Sequence, residues 1–205
     1  CYGKLVIDDK NKKSSKIDTL KNLNKHPRLL KRVATLLKKM VETKNTELMD
    51  SINYARRLQL AILPQLPDIR ALLDVHLFYQ PKDIIGGDFY FFDHFQGRLF
   101  FAICDCTGHG VPGALMSMIG NTLLNEIINQ KEINDPGEIL NQLNKGVKYA
   151  LRQSGSDLVS QDDGMDVSVC CMDKNDRSVL RYATANHTMF IKANGKLTEL
   201  TGDIY

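Results

Sequence analysis

No apolar run in this sequence approaches the ~18 residues that span a bilayer. Even Leu99-Phe100-Phe101-Ala102-Ile103-Cys104 is short, and no signal-peptide pattern precedes it. No membrane segment is therefore expected in these residues, although one upstream of Cys1 stays open. Cysteine is sparse and odd in number: five, with Cys170 and Cys171 adjacent. That is no disulfide framework and points to a reducing cytoplasm. A Gly-x-Ser-x-Gly elbow is also missing, which removes the usual sign of a serine nucleophile.

The composition that is present, 43% hydrophobic and 25% charged over 205 residues, suits one sizeable globular domain plus an extra element. Cys1 in place of a methionine, and an end at Thr201-Gly202-Asp203-Ile204-Tyr205, read as cut points in a longer protein. The net charge of +3 hides an asymmetry. Residues 1–40 hold 12 Lys/Arg against three Asp, a net of +9, and 41–205 carry a net of −6. Aromatic residues do not interleave with these lysines, so nucleic-acid binding is not expected and residues 1–27 read as a basic linker or the tail of an upstream element.

From Pro27 the spacing predicts a helix over 28–64. Leu29, Val33, Leu36 and Met40 form one apolar seam, and Leu48, Ile52, Ala55, Gln59 and Ile62 form a second after a slip. Pro64 and Pro67 should end it. Two readings fit: an amphipathic helix packed on its own domain, or a signalling coiled coil forming a homodimer.

Residues 65–205 read as the main domain. Val75 to Tyr79 alternates like a strand. Asp88 to Asp93 and Arg98 to Cys104 are aromatic-rich strands joined by His94-Phe95-Gln96-Gly97. A helix is expected from about Val111 to Gln130, with Leu115, Met118, Ile119, Thr122 and Leu123 as its core face. Asp135-Pro136-Gly137-Glu138 caps a second helix whose apolar face is Ile139, Leu143, Val147 and Ala150, ending at Ser154-Gly155-Ser156. Then come strands at Val167 to Met172, Leu180 to Ala185 and Met189 to Ala193, and Asn194-Gly195 turns into Leu197 to Leu200. Strands on either side of a helix pair predict an α+β fold rather than βαβ winding.

Two acidic residues stand out. Asp88 sits in Gly86-Gly87-Asp88-Phe89-Tyr90, and Asp105 follows an apolar strand and precedes Cys106-Thr107-Gly108-His109-Gly110. A hairpin opened by one and closed by the other brings both to the same end. Carboxylates beside glycines at such a rim suit Mg²⁺ or Mn²⁺, which prefer oxygen ligands. Gly108-x-Gly110-x-x-Gly113 also fits a dinucleotide fingerprint, but Asp105 would repel the pyrophosphate. Gly86-Gly87-Asp88-Phe89 matches the diguanylate cyclase signature only in part. Cys104 and Cys106 share one strand face and find no fourth zinc ligand.

Gly-Gly-Asp-Phe-Tyr at 86–90 with Asp-x-x-Gly-His-Gly at 105–110 resembles the sporulation stage II E-type phosphatases, of the metal-dependent, type 2C-like superfamily. Tyr54-Ala55-Arg56-Arg57-Leu58-Gln59 with Ile62-Leu63-Pro64, Asp163-Gly164-Met165-Asp166, and Tyr182-Ala183-Thr184-Ala185-Asn186-His187 extend the resemblance over about 51–200. It implies an antiparallel β-sandwich flanked by helices, with the N-terminal helix as a linker. It also implies hydrolysis of phosphoserine or phosphothreonine on a regulatory protein, an anti-anti-sigma-type partner, by a water between two Mn²⁺ or Mg²⁺ ions about 3.5–4 Å apart. By the same resemblance Asp105 bridges the ions, the Cys106 carbonyl joins one, and Asp88 binds directly or through water. His109 is a candidate general acid, although in eukaryotic relatives the histidine follows the bridging aspartate more closely. Lys82 and Asp83 are further candidates for contact with metal or phosphate, whereas His187 reads as structural. The family's later Ser-Asp-Gly and Asp-Asp-Met-Thr-like motifs do not occur, so the domain reads as C-terminally incomplete, with about half its metal site. The alternative is a non-catalytic phosphatase-like module that binds a phosphoprotein or dimerises.

Overall fold

The computed structural model describes residues 27–153 and 163–203. Residues 1–26, and the helix end expected at Ser154-Gly155-Ser156, lie outside the described residues. The chain divides into two units, Cys1–Ser51 and Ile52–Tyr205. In the first, helix α1 (Pro27–Ile62) begins at the expected proline, and Leu29, Val33, Leu36 and Met40 are all exposed. Its last turns belong to the second unit.

There, Gln59 is buried and Ile52, Ala55 and Ile62 are half-buried, so the second seam packs on its own domain. Helix α1 stops two residues before Pro64, and a five-residue helix α2 (Leu66–Arg70) follows, with Pro67 in its first turn. Four antiparallel strands then form one sheet in chain order: β1 (Phe89–Phe95), β2 (Arg98–Cys106), β3 (Met165–Asp173) and β4 (Leu180–Ala185). The β1–β2 turn is Gln96-Gly97, with φ of 47° and 75°. Two left-handed residues give the turn whose twist matches the strands. Asn194 and Gly195, with φ of 50° and 77°, do the same between β5 (Met189–Ala193) and β6 (Lys196–Leu200), a separate two-stranded sheet.

One face of the large sheet is the core. Phe89 and Phe91 on β1 pair with Cys104 and Ala102 on β2, which pair with Val167 and Val169 on β3, and all six are buried. Helices α3 (Gly110–Asn125) and α4 (Pro136–Ala150) cover this face. Asp135 caps α4 as expected, accepting from the Glu138 N–H at 3.0 Å. Ile139, Leu143 and Val147 are buried, but Ala150 is exposed in the last turn.

Three expectations are corrected. The expected core face of α3 is met only in part: Ile119 and Leu123 pack against the core, but Leu115, Met118 and Thr122 are exposed, and the buried residues are Gly113, Ala114, Met116, Ser117, Gly120, Asn121 and Leu124. At Gly120 the helix lies too close to the sheet for a side chain, since a Cβ there would stand 2.8 Å from Phe89 Cζ and 2.9 Å from Met165 Cε. The helix expected to run to Gln130 is α-helical only to Asn125, and Glu126–Gln130 continue it as a π-helical turn. Val75 to Tyr79 alternates in burial but forms no ladder among the described residues, because pairing requires a partner that alternation cannot supply. No helix among the described residues is long and apolar enough to cross a membrane.

Candidate metal centre

The register of the β1–β2 ribbon fixes the site. Phe89 pairs with Cys104, so Asp88, the residue before β1, comes opposite Asp105. Alternation turns both carboxylates away from the core face that carries Phe89, Cys104 and Cys106. They are near enough for each to bear on the other's proton. Asp88 is held above the ordinary aspartate range, first by partial burial, then by the hydrogen bond with Asp105 and by its charge. Asp105 also pairs with Asp166 on β3. Even so, among the described residues no group of three or more His, Cys, Asp or Glu side chains gathers closely enough to hold an ion.

Backbone oxygen adds to the pair. A Cβ on Gly87 would lie 2.8 Å from the Gly108 carbonyl oxygen and 3.0 Å from that of Cys106. Only glycine lets the segment before Asp88 pass so close to the loop after Asp105. On Gly113 a Cβ would meet the same Gly108 oxygen at 2.6 Å, so the start of α3 presses on that loop too. Carboxylates and the backbone carbonyls of the adjoining loop are hard oxygen donors, of the kind that Mg²⁺ and Mn²⁺ take. The thiols do not compete. Burial raises Cys104 well above its usual range, and burial with the charges of Asp105 and Asp88 pushes Cys106 up to about 12.

The flanking loops are tied down. The Tyr79 hydroxyl donates to the Asp88 carbonyl at 3.2 Å. Thr107 N–H donates to the Gly164 carbonyl at 3.0 Å, and the Gly164 N–H donates to Thr107 Oγ1 at 3.1 Å. His109 is the N-cap residue of α3, and its Nδ1 lies 2.6 Å from Asp83 Oδ2, both side chains being exposed. Lys82 is exposed on a cleft of about 1000 Å³ that Gln59, Tyr79 and Asp83 also line. His187 sits on the turn between β4 and β5.

Two features escape a reading of the sequence. The Asp83–His109 pair spans 26 positions with no motif between them. Gln59 is the other: its Nε2 donates to the Gly86 carbonyl at 2.7 Å and to Ser117 Oγ at 2.8 Å, and its Oε1 accepts from the Gly86 N–H at 3.3 Å. It thus joins α1, the glycine loop and α3. The available signal was a lone glutamine in an otherwise apolar seam.

Comparison with known proteins adds a family. Residues 96–201 match the model of stage II sporulation protein E (SpoIIE), a span that includes Asp105 and begins after Asp88. Among solved structures, the SiaA-PP2C domain of Pseudomonas aeruginosa is similar at 28% identity and a TM-score of 0.64, covering 78% of this chain. The chain spans 62% of that domain's length. The RsbU and RsbW domains of a Mycobacterium tuberculosis protein align at 21% identity and a TM-score of 0.43, over 59% of this chain and 31% of that one. No curated protein matches.

Proposed function

The chain belongs to the stage II sporulation protein E family, whose domain is of the type 2C phosphatase kind, and we propose that it works as a metal-dependent phosphatase on phosphoserine or phosphothreonine. The observation that carries this reading is the meeting of Asp88 and Asp105 at one mouth of the β1–β2 ribbon, beside the Cys106 carbonyl. Two carboxylates in contact are costly unless a proton or a cation lies between them.

Asp88, Asp105 and the Cys106 carbonyl would hold Mn²⁺ or Mg²⁺. Such ions, when bound, supply neutralisation of phosphate charge and acidify a water. The residues themselves anchor the site: the Tyr79 hydroxyl fixes the Asp88 backbone, and Gly87 lets the two loops meet. His109 is the candidate donor of a proton to the departing seryl oxygen. The substrate would be a phosphorylated regulatory protein of the anti-anti-sigma type, in the cytoplasm.

The test is Asp105→Asn. In the full-length protein it should abolish Mn²⁺-dependent phosphate release from a phosphoserine protein and weaken Mn²⁺ binding measured by calorimetry, with the unfolding midpoint retained. Wild-type turnover in that variant removes the mechanism. A second reading, a phosphoprotein-binding module without turnover, rests on the gathering of only two carboxylates among the described residues. It predicts binding of the phosphoprotein with no phosphate released by the full-length wild type.

A further inference from the structure

Asp83 is the carboxylate nearest His109, yet it lies on a different loop, 26 residues earlier. Its Oδ2 is 2.6 Å from His109 Nδ1 and 3.5 Å from where a Cβ on Gly110 would stand. The carboxylate therefore sits on the imidazole and at the first turn of α3, where the positive end of a helix favours a negative charge. The hydrogen bond ties the His109 ring to the loop that carries Asp83. Next to His109, Gly108 presses on Gly87, which in turn adjoins Asp88. The ring is thus carried on the backbone that forms one wall of the carboxylate site. A hydrogen bond at Nδ1 fixes which nitrogen stays free for chemistry, here Nε2.

We propose that Asp83 is a positioning residue that holds His109 with Nε2 available to protonate the leaving alkoxide. The inference rests on the phosphatase reading and extends it. In the step, water supplies the oxygen that phosphorus gains, and the bond from phosphorus to the seryl oxygen breaks with its electron pair on that oxygen. The His109 proton passes to it, the ring regains a proton from solvent, and serine and inorganic phosphate leave. A carboxylate behind the imidazole holds the orientation of the ring, as in other acid–base pairs.

A simple latch between two loops would show the same contact, so the test separates the two. Full-length wild type, Asp83→Asn, His109→Gln and the double variant are assayed with a phosphoserine peptide and with p-nitrophenyl phosphate. Nitrophenolate departs without a proton. On the peptide we expect kcat losses of about 100-fold or more for His109→Gln and about tenfold or more for Asp83→Asn. The double variant should match His109→Gln alone, and losses on the aryl ester should be several-fold smaller. Nitrogen-15 spectra of the ring followed over pH should show the neutral form protonated at Nδ1 in wild type, the state left once the doubly protonated ring gives up its Nε2 proton, and Asp83→Asn should lose that tautomer preference. Equal losses on both substrates, multiplying losses in the double variant, or an unchanged tautomer would overturn the proposal. If the wild type hydrolyses neither substrate, the phosphatase reading falls and this one with it. If it does and Asp83→Asn is silent, the positioning role alone falls.

Discussion

At the scale of single residues, repulsion is informative. Asp88 is raised by partial burial and by Asp105 beside it, so without a cation the folded state holds the Asp88 proton more tightly than the unfolded chain does. The sign follows from linkage. A carboxyl whose folded pKa exceeds its unfolded value contributes stability in acid and loses it as pH rises through the folded value. Asp88→Asn removes that loss. In metal-free buffer it should raise the thermal midpoint by a few degrees at neutral pH and give no gain at a pH below the unfolded carboxylate value. With saturating Mn²⁺ the wild type should overtake it. A midpoint insensitive to both pH and Mn²⁺ would show that the two carboxylates do not share a cation. That the two acids share one end was legible because antiparallel strands joined by a short turn bring the start of the first to the end of the second; the register was not, since the expected turn of four residues, His94 to Gly97, is one of two, Gln96-Gly97. Asp83–His109 and the three hydrogen bonds of Gln59 were not, since each joins loops or helices whose approach is set by tertiary packing.

Among the elements, strands were read more accurately than helix faces. β4 and β5 fall on the expected residues, and Asn194-Gly195 turns as its left-handed preference requires. Helix α3 was found, but its buried face was read only in part: Ile119 and Leu123 pack on the core while Leu115 and Met118 do not, because hydrophobicity marks what gains from burial and not how near the sheet stands. Close approach selects glycine at 113 and 120, while Leu115 is left 57% exposed. Gly120→Val should therefore destabilise the domain by about 1–3 kcal/mol through overpacking against Phe89 and Met165. Leu115→Ser, the larger chemical change, should fall within about 0.5 kcal/mol of wild type. Urea unfolding of the two variants decides which face is inside. The reverse order would restore the large-residue stripe.

On the scale of the molecule, the two seams of α1 have different surroundings. The second, through Gln59 and Ile62, is taken up by the phosphatase-type domain. In the first, Leu36 and Met40 are 61% and 63% exposed. A lone helix gains little from propensity and depends on covering an apolar face. Leu29, Val33, Leu36 and Met40 follow the spacing by which two such helices interlock. The partner this favours is a second copy of the chain, with the basic residues flanking the seam left in water. Two short runs of contacts make a weak pair, so association should depend on concentration. Sedimentation equilibrium of the full-length protein should show a monomer–dimer exchange in roughly the micromolar range. Leu36→Glu with Met40→Glu should shift it to monomer and leave Mn²⁺ binding at Asp88 and Asp105 intact. A wild type that stays monomeric at ten times that concentration would mean that the first seam is covered by something other than itself. A double variant that loses Mn²⁺ as well would mean that the seam supports the domain instead of a partner.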